Sequence, residues 1–490
     1  MGLTTATNVA QSSLAALAAE ASVLSRNIAG VNSTGTYSEK TAVLQTTSSG
    51  GVQFVSVSRA QNQALFDSVL SATSASAAQN AIETGLTSLQ QTVGDTNSDT
   101  SPAAKFSDFM SALQSYESTP SDESLASGLV TAASTLATTL NSATNAVEQT
   151  RQQADANMAS SVSTINNLLS QFQSVNAQIV KGTATGADVT DLQDTRDSIL
   201  TQLSQQIGIS TTTDSKGNMS IYTDSGVTLF QGGTARSVTF QPTASYTSGT
   251  TGNAVYVDGI PVTGSASTMP IQSGALAGLA TLRDSTSVTY QNQLDQMANA
   301  LIGATSETYS SGGTSVTSPG LFTYSGATGM PSSAAGLAGL ITVNPAVDPT
   351  QGGNPDLVRD GINTNFNTSN AASYATQLQN LQTSLQASHT FAASAGIATT
   401  GSISDYGSAS VSWLEAQRQN VSNEGSYQST LLSTTTSALS SATGVNLDNE
   451  MSKMLNLEQS YSASAQLMSA INTMFTSLVT AVTAINGTIG

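Results

Sequence analysis

Apolar residues recur every seven positions at both ends of the chain. Near the start, Leu3, Ala10, Leu17, Leu24 and Val31 are spaced by seven, with Leu14, Ala21 and Ile28 between them. Near the end, Met454, Tyr461, Met468, Phe475 and Val482 keep the same spacing, interleaved by Leu457, Ile471, Leu478 and Ile485, with only Ser464 polar. On a helix this spacing draws one apolar stripe, the a/d seam of a coiled coil. A single helix cannot bury its own stripe. Either the termini pack on each other, on neighbouring copies or both, or each is an ordinary core helix of a bundle. The first alternative predicts that about 30 residues at each end are poorly ordered in a dilute monomer and fold on assembly.

Between the ends the periodicity changes twice. Residues 60–206 read as long helices, broken at "TPSDES", where Pro120, Ser121 and Asp122 offer turn and capping chemistry. Val162, Ile165, Leu168, Leu169, Phe172, Val175 and Ile179 share one helix face. From about 208 the period drops to two, and "NMSIYTDSGVTLF", "RSVTFQP" and "AVYVDGIPV" predict short antiparallel strands joined by Gly and Asp turns. Helix is expected again over 274–309, 371–392 and 405–442, with a Gly/Ser/Pro-rich stretch before the last two. The expected fold is mainly α with a β-rich insert. Residues 1–36 and 452–490 form a terminal coiled coil, and 37–207, 271–309 and 369–451 a helical shoulder. Residues 208–270 form an outer β insert, and 310–368 an irregular segment with short strands.

Composition narrows the function. Of 490 residues only 9% are charged, against about a quarter in ordinary soluble domains. Ser, Thr, Ala, Asn and Gln take their place, a polar surface with weak hydration that suits packing against neighbours. The formal charge of -18 leaves no basic footprint for nucleic acid. There is no cysteine, so no disulfide frame or thiolate site. No run approaches about 18 consecutive apolar residues, and the first basic residue is Arg26, so neither membrane insertion nor an ordinary secretory signal is expected.

Catalytic chemistry has little to draw on. With one histidine, a Ser-His-Asp arrangement would rest on His389, which "LQASHTF" places at a polar helix end. No two glycines lie two positions apart, which excludes G-x-G-x-x-G. "DLQDTRD" gathers Asp191, Asp194, Arg196 and Asp197, enough for a cation site or an acid/base pair, but its spacing also fits a capped, ion-paired helix start. Trp413 beside Val411 reads as a core anchor. No catalytic residue, metal or cofactor is expected.

Taken together, several blocks resemble the flagellar hook-associated protein 1 family. The most specific is "GVNLDNE", with Gly444, Val445, Asn446, Leu447, Asp448 and Glu450, followed by Gln459 and Tyr461. A second is "NAQIV" with "DLQDTRD", through Asn176, Ile179, Asp191, Leu192, Asp194, Arg196 and Asp197. Weaker echoes are Gly278, Leu279, Arg283 and Asp284 in "GALAGLATLRD", and Phe106, Phe109, Leu113 and Pro120. At the N-terminus Asn27, Ile28, Ala29, Asn32, Gly35 and Tyr37 match the family's N-I-A-N-x-N-T-x-G-Y-x-R pattern. Gly30 departs from it, Thr36 is an extra residue, and Glu39 and Lys40 stand where an arginine is usual.

The resemblance implies a secreted structural subunit exported unfolded by the flagellar type III apparatus, with the help of an export chaperone. Copies would form a homo-oligomeric ring between the hook protein below and a second junction protein above. The nearest alternative is another axial subunit of hook or filament type. A secreted adhesin or enzyme would need convergent polar residues in the 208–270 insert, where Thr, Ser and Asp are only scattered.

Overall fold

The computed structural model describes every residue except 1, 34–36, 49, 97 and 489–490, and leaves out the side chains of 486–488. In chain order it contains α1 (Leu3–Gly30), β1 (Lys40–Thr46), β2 (Val52–Arg59), α2 (Gln63–Val93), α3 (Pro102–Ser118), α4 (Glu123–Thr185) and α5 (Thr190–Gln206). Strands β3 (Ile209–Thr213), β4 (Met219–Thr223), β5 (Thr228–Gln231), β6 (Thr234–Ala235), β7 (Val238–Thr239), β8 (Tyr256–Val257) and β9 (Ile260–Pro261) follow. Next come α6 (Ala275–Thr281), a π-helical turn (Leu282–Thr286), α7 (Ser287–Ala304), β10 (Glu307–Ser311), β11 (Thr314–Ser318) and β12 (Phe322–Tyr324). The chain continues through α8 (Leu337–Leu340), β13 (Ile341–Val343), α9 (Leu357–Asp360), α10 (Thr376–Gln386), β14 (His389–Thr390) and β15 (Thr400–Gly401), then α11 (Ile403–Thr443) and α12 (Leu447–Thr488). The protein is mainly helical with small antiparallel sheets, in the class the periodicity predicts.

The chain divides into two compact units. The first comprises residues 1–76, 164–237 and 428–490, and the second 77–163 and 238–427.

In the first unit α1 packs against α12 and against the β1–β2 hairpin. Two partners explain why its buried residues, Ala10, Ala16, Val23, Leu24 and Asn27, fall on more than one stripe. Strands β3 to β6 form a consecutive meander. Phe172 of α4 meets Phe230 of β5 edge to face at 4.9 Å, a geometry that adds to the area both rings bury. Asn176 fixes the β3–β4 turn beside them: its Nδ2 donates to Asn218 Oδ1 at 2.8 Å, and its Oδ1 accepts from the Met219 amide at 3.1 Å.

The second unit is built round α4, α6 and α7. Gly278 is buried where a Cβ would lie 2.2 Å from the Ala78 carbonyl oxygen, so only glycine allows this approach. In the π turn the Arg283 carbonyl accepts from Arg151 Nε at 3.0 Å, a bond that a widened turn makes available. Arg283 is itself fully buried, pairing with Asp155 at 2.6 Å and Asp284 at 2.7 Å and donating to the Asn253 carbonyl. The Tyr246 hydroxyl donates to Asp155 at 2.7 Å, and its pKa is pushed up to about 12, chiefly by burial.

The structure corrects five expectations. Residues 40–59, placed in the helical shoulder, are a hairpin: "KTAVLQT" and "VQFVSVSR" are rich in β-branched residues and carry no helical stripe, and Gly50 turns with φ +84°. Helix stops at Ala304, so 307–309 belong to β10. The helix expected over 371–392 is only Thr376–Gln386, and His389 sits in β14, its Nε2 2.9 Å from the Ser384 carbonyl oxygen. The β-rich stretch 208–270 is divided between the units at 237/238. Trp413 is half-buried while its neighbours Val411 and Leu414 are buried, so the aliphatic residues anchor that turn of α11.

Candidate assembly site

Three sequence blocks far apart in the chain meet in the first unit. Asn27, in the last turn of α1, uses both ends of its amide. Its Nδ2 donates to the Lys40 carbonyl and to Glu450 Oε2, each at 2.8 Å, and its Oδ1 accepts from the Lys40 amide at 3.0 Å and the Tyr37 hydroxyl at 3.1 Å. One buried asparagine therefore ties α1 to the start of β1 and to the first turn of α12. Glu450 is buried and also pairs with Lys453 at 2.6 Å, which pairs in turn with Glu39 at 2.6 Å.

Beside this knot lies a ladder of ion pairs. The Lys40 side chain is fully buried, its ammonium against Asp191 and 2.9 Å from Asp194, and 3.8 Å from the centre of the Tyr37 ring. Arg59 pairs with Asp194 at 2.9 Å and Asp197 at 2.7 Å. Arg26 pairs with Asp188 at 2.9 Å. Burial lowers the Lys40 pKa, but the two aspartates outweigh it and hold the value above 10.5. Burial pushes the Asp197 carboxyl up, against the pull of Arg59. Asp188 stays below 3.8 despite burial, held by bonds from Thr190 and Arg26.

The carboxylates of "DLQDTRD" are thus taken up by cations from α1, β1 and β2. Arg196, the partner the local spacing suggests, instead donates to the Gly217 carbonyl at 2.9 Å. Lys40, one of the residues standing where the family pattern has arginine, is the buried cation of the ladder. Sequence reading missed Arg26, Lys40 and Arg59. The signal was their rarity, since the chain has only 13 basic residues. Of the other motif residues, Asn446 accepts from the Asn449 amide at 3.1 Å and caps α12, while Leu447 and Asp448 are exposed in its first turn. Gly444 ends α11 with its amide 2.8 Å from the Ser440 carbonyl. Asn32 is exposed, and Gly35 lies outside the described residues.

The terminal stripes behave differently from one another. On α1, Leu3, Leu14, Leu17, Ile28 and Val31 are half-buried and Ala10 and Leu24 buried. On α12, Met454, Leu457 and Met468 are half-buried and Ile471 is buried, but Tyr461, Phe475, Leu478, Val482 and Ile485 are exposed. The Asn27–Glu450 bond explains the break from Phe475 onward, while Tyr461 is exposed within the covered length. That bond joins the end of α1 to the start of α12, so the pair runs antiparallel. Leu3, which is 24 positions before Asn27, comes level with about residue 474 at 1.5 Å per residue in both helices. Residues 475–488 run past α1. Their exposed apolar residues include Val479 as well as the seam positions.

This overhang is prepared for burial. No charged residue follows Glu458. The hydroxyls of Thr473, Thr476, Thr480 and Thr483 donate within the helix to the carbonyls of Ser469, Asn472, Thr476 and Val479 at 2.8–2.9 Å, so they need no outside partner when covered. Among the described residues one stretch within Ile403–Ile485 is also long and apolar enough, by length and composition alone, to cross a membrane.

A family model described as "Flagellar hook-associated protein FlgK helical domain" matches residues 86–321, and one described as "Flagellar basal body rod FlgEFG protein C-terminal" matches residues 437–481. The chain is 26% identical over 307 residues to flagellar hook-associated protein 1 of Escherichia coli strain K12, and 26% identical over 308 residues to that of Salmonella typhimurium strain LT2. Each match covers 61% of this chain and 55% of the relative, so the chain spans about half the length of the curated relatives it matches. Among solved structures it is similar to the flagellar hook junction protein FlgK from Burkholderia pseudomallei, with a TM-score of 0.42 and 22% identity over 53% of this chain and 46% of that one.

Proposed function

We propose that the chain is a member of the flagellar hook-associated protein 1 family and is the structural junction subunit that joins the flagellar hook to the filament. Copies form a ring in the extracellular axial structure, with the hook protein below and a second junction protein above, after export through the flagellar type III apparatus with a chaperone. Its role is mechanical, not enzymatic. The helical-domain match over 86–321 carries this reading, since the match at 437–481 alone is to a rod-protein C-terminus and would fit another axial subunit equally. The uncharged overhang of α12 supports it physically: an apolar stripe with self-satisfied hydroxyls is a surface awaiting other helices. The Arg26, Lys40 and Arg59 pairs leave the aspartates of α5 engaged in holding the terminal helix and hairpin, which speaks against acid/base work there.

Deletion of the coding sequence tests the reading by electron microscopy. Hooks without filaments, with filament subunit lost to the medium, are expected. Normal filaments on the deletion strain would contradict it.

A further inference from the structure

The hairpin β1–β2 presents Val43, Leu44, Phe54 and Val55 to solvent. Val43 pairs with Ser56 but Leu44 with Phe54, which leaves Val55 as the extra residue of a β-bulge. The bulge breaks the alternation of faces, so that neighbouring apolar residues are exposed together on each strand. From Thr41 to Ser58 no residue is charged, whereas an exposed two-stranded ribbon is normally guarded by charge. The same unit carries a groove of about 380 Å³ walled by Leu17, Val23 and Leu24 of α1, Leu457 of α12 and Ala42 at the base of the hairpin, with Glu20, Lys40, Glu450 and Lys453 as its charged residues. That is more than twice the roughly 150 Å³ that holds a benzene ring, room for a phenylalanine and a valine side chain. These charges are two acidic and two basic and cancel, so the groove favours a guest without charge. The hairpin is an uncharged, apolar guest.

We propose that Phe54 and Val55 of one copy seat in the α1–α12 groove of the next. A knob and a socket at different places on one chain make a heterologous contact, the kind that closes into a ring when the rotation allows. This rests on the ring of the proposed function and names the surfaces that form it.

The cysteine-free sequence makes the test direct. The full chain carrying Phe54→Cys and Leu17→Cys together replaces the native copy in a motile strain, and the isolated flagellar fraction is oxidised. A ladder of covalent multimers is expected, with most of the incorporated chain in dimers and larger species. Either single variant is expected to stay monomeric. Phe54→Cys with Leu457→Cys gives a second pairing in case the first double variant fails to incorporate. Two incorporated double variants without ladders, or equally strong cross-linking of Phe54→Cys alone, overturn the inference while leaving the junction role standing. Absence of the unsubstituted chain from the flagellar fraction removes the junction reading itself, and this contact with it.

Discussion

Phe475→Asp should abolish incorporation of the chain into the axial structure while leaving the melting of both units unchanged. In the single chain Phe475 is 51% exposed, just beyond the level at which α1 begins. A carboxylate there keeps its water and costs the monomer little. Once other helices cover the stripe, the same carboxylate is buried in a segment with no charge after Glu458 to pair with it. An unpaired buried charge costs several kcal/mol, and each ~1.4 kcal/mol is a factor of ten in the assembly constant. Thr476→Asp is the control, placing the same charge one position away, beyond the edge of the apolar arc. Filament growth on Phe475→Asp equal to the control, or a fall of many degrees in a monomer melt, would assign the stripe to an intramolecular bundle.

Lys40→Met should lower the stability of the first unit by about 1.5–3 kcal/mol, the usual worth of hydrogen bonds to a charged group, since Asp194 keeps Arg59 as a partner. The ammonium it removes lies between Asp191 and Asp194, and the Asp194 side chain is only 9% exposed. Chemical denaturation followed by a probe in the first unit would show the midpoint shift, and adding Asp194→Asn should recover part of it. The pH dependence has a fixed sign. Lys40 titrates above 10.5 in the fold, so its contribution is full below that value and is lost as pH rises through the raised pKa. Asp188, held below 3.8, contributes above its unfolded value and is lost as pH falls through the lowered one. Lys40→Met should reduce the alkaline loss, to which Lys453 and Tyr37 also contribute, and leave the Asp188 part of the acid one.

The heptads, the long helices and the β-rich middle were legible because each is a local period. The ion-pair ladder was not. Spacing within "DLQDTRD" shows only that Arg196 is near three aspartates, whereas the actual partners lie on α1, β1 and β2, more than 130 positions away in sequence. The same limit hid the tie between Asn27 and Glu450, 423 positions apart. The hairpin was overlooked because its bulge disturbs the alternation by which a half-buried strand is recognised. The seam spacing names a helix face but not where cover ends, since that depends on the antiparallel offset of α1 and α12, which a tertiary hydrogen bond sets.

The central claim is that the end of α12 is a surface completed by other copies. Amide hydrogen exchange across residues 475–488, compared between the isolated monomer and the assembled axial structure, tests it most directly. The account predicts near-complete exchange in the monomer, where a lone helical end is marginal in water, and strong protection once assembled. Strong protection of 475–488 already in a proven monomer would contradict it.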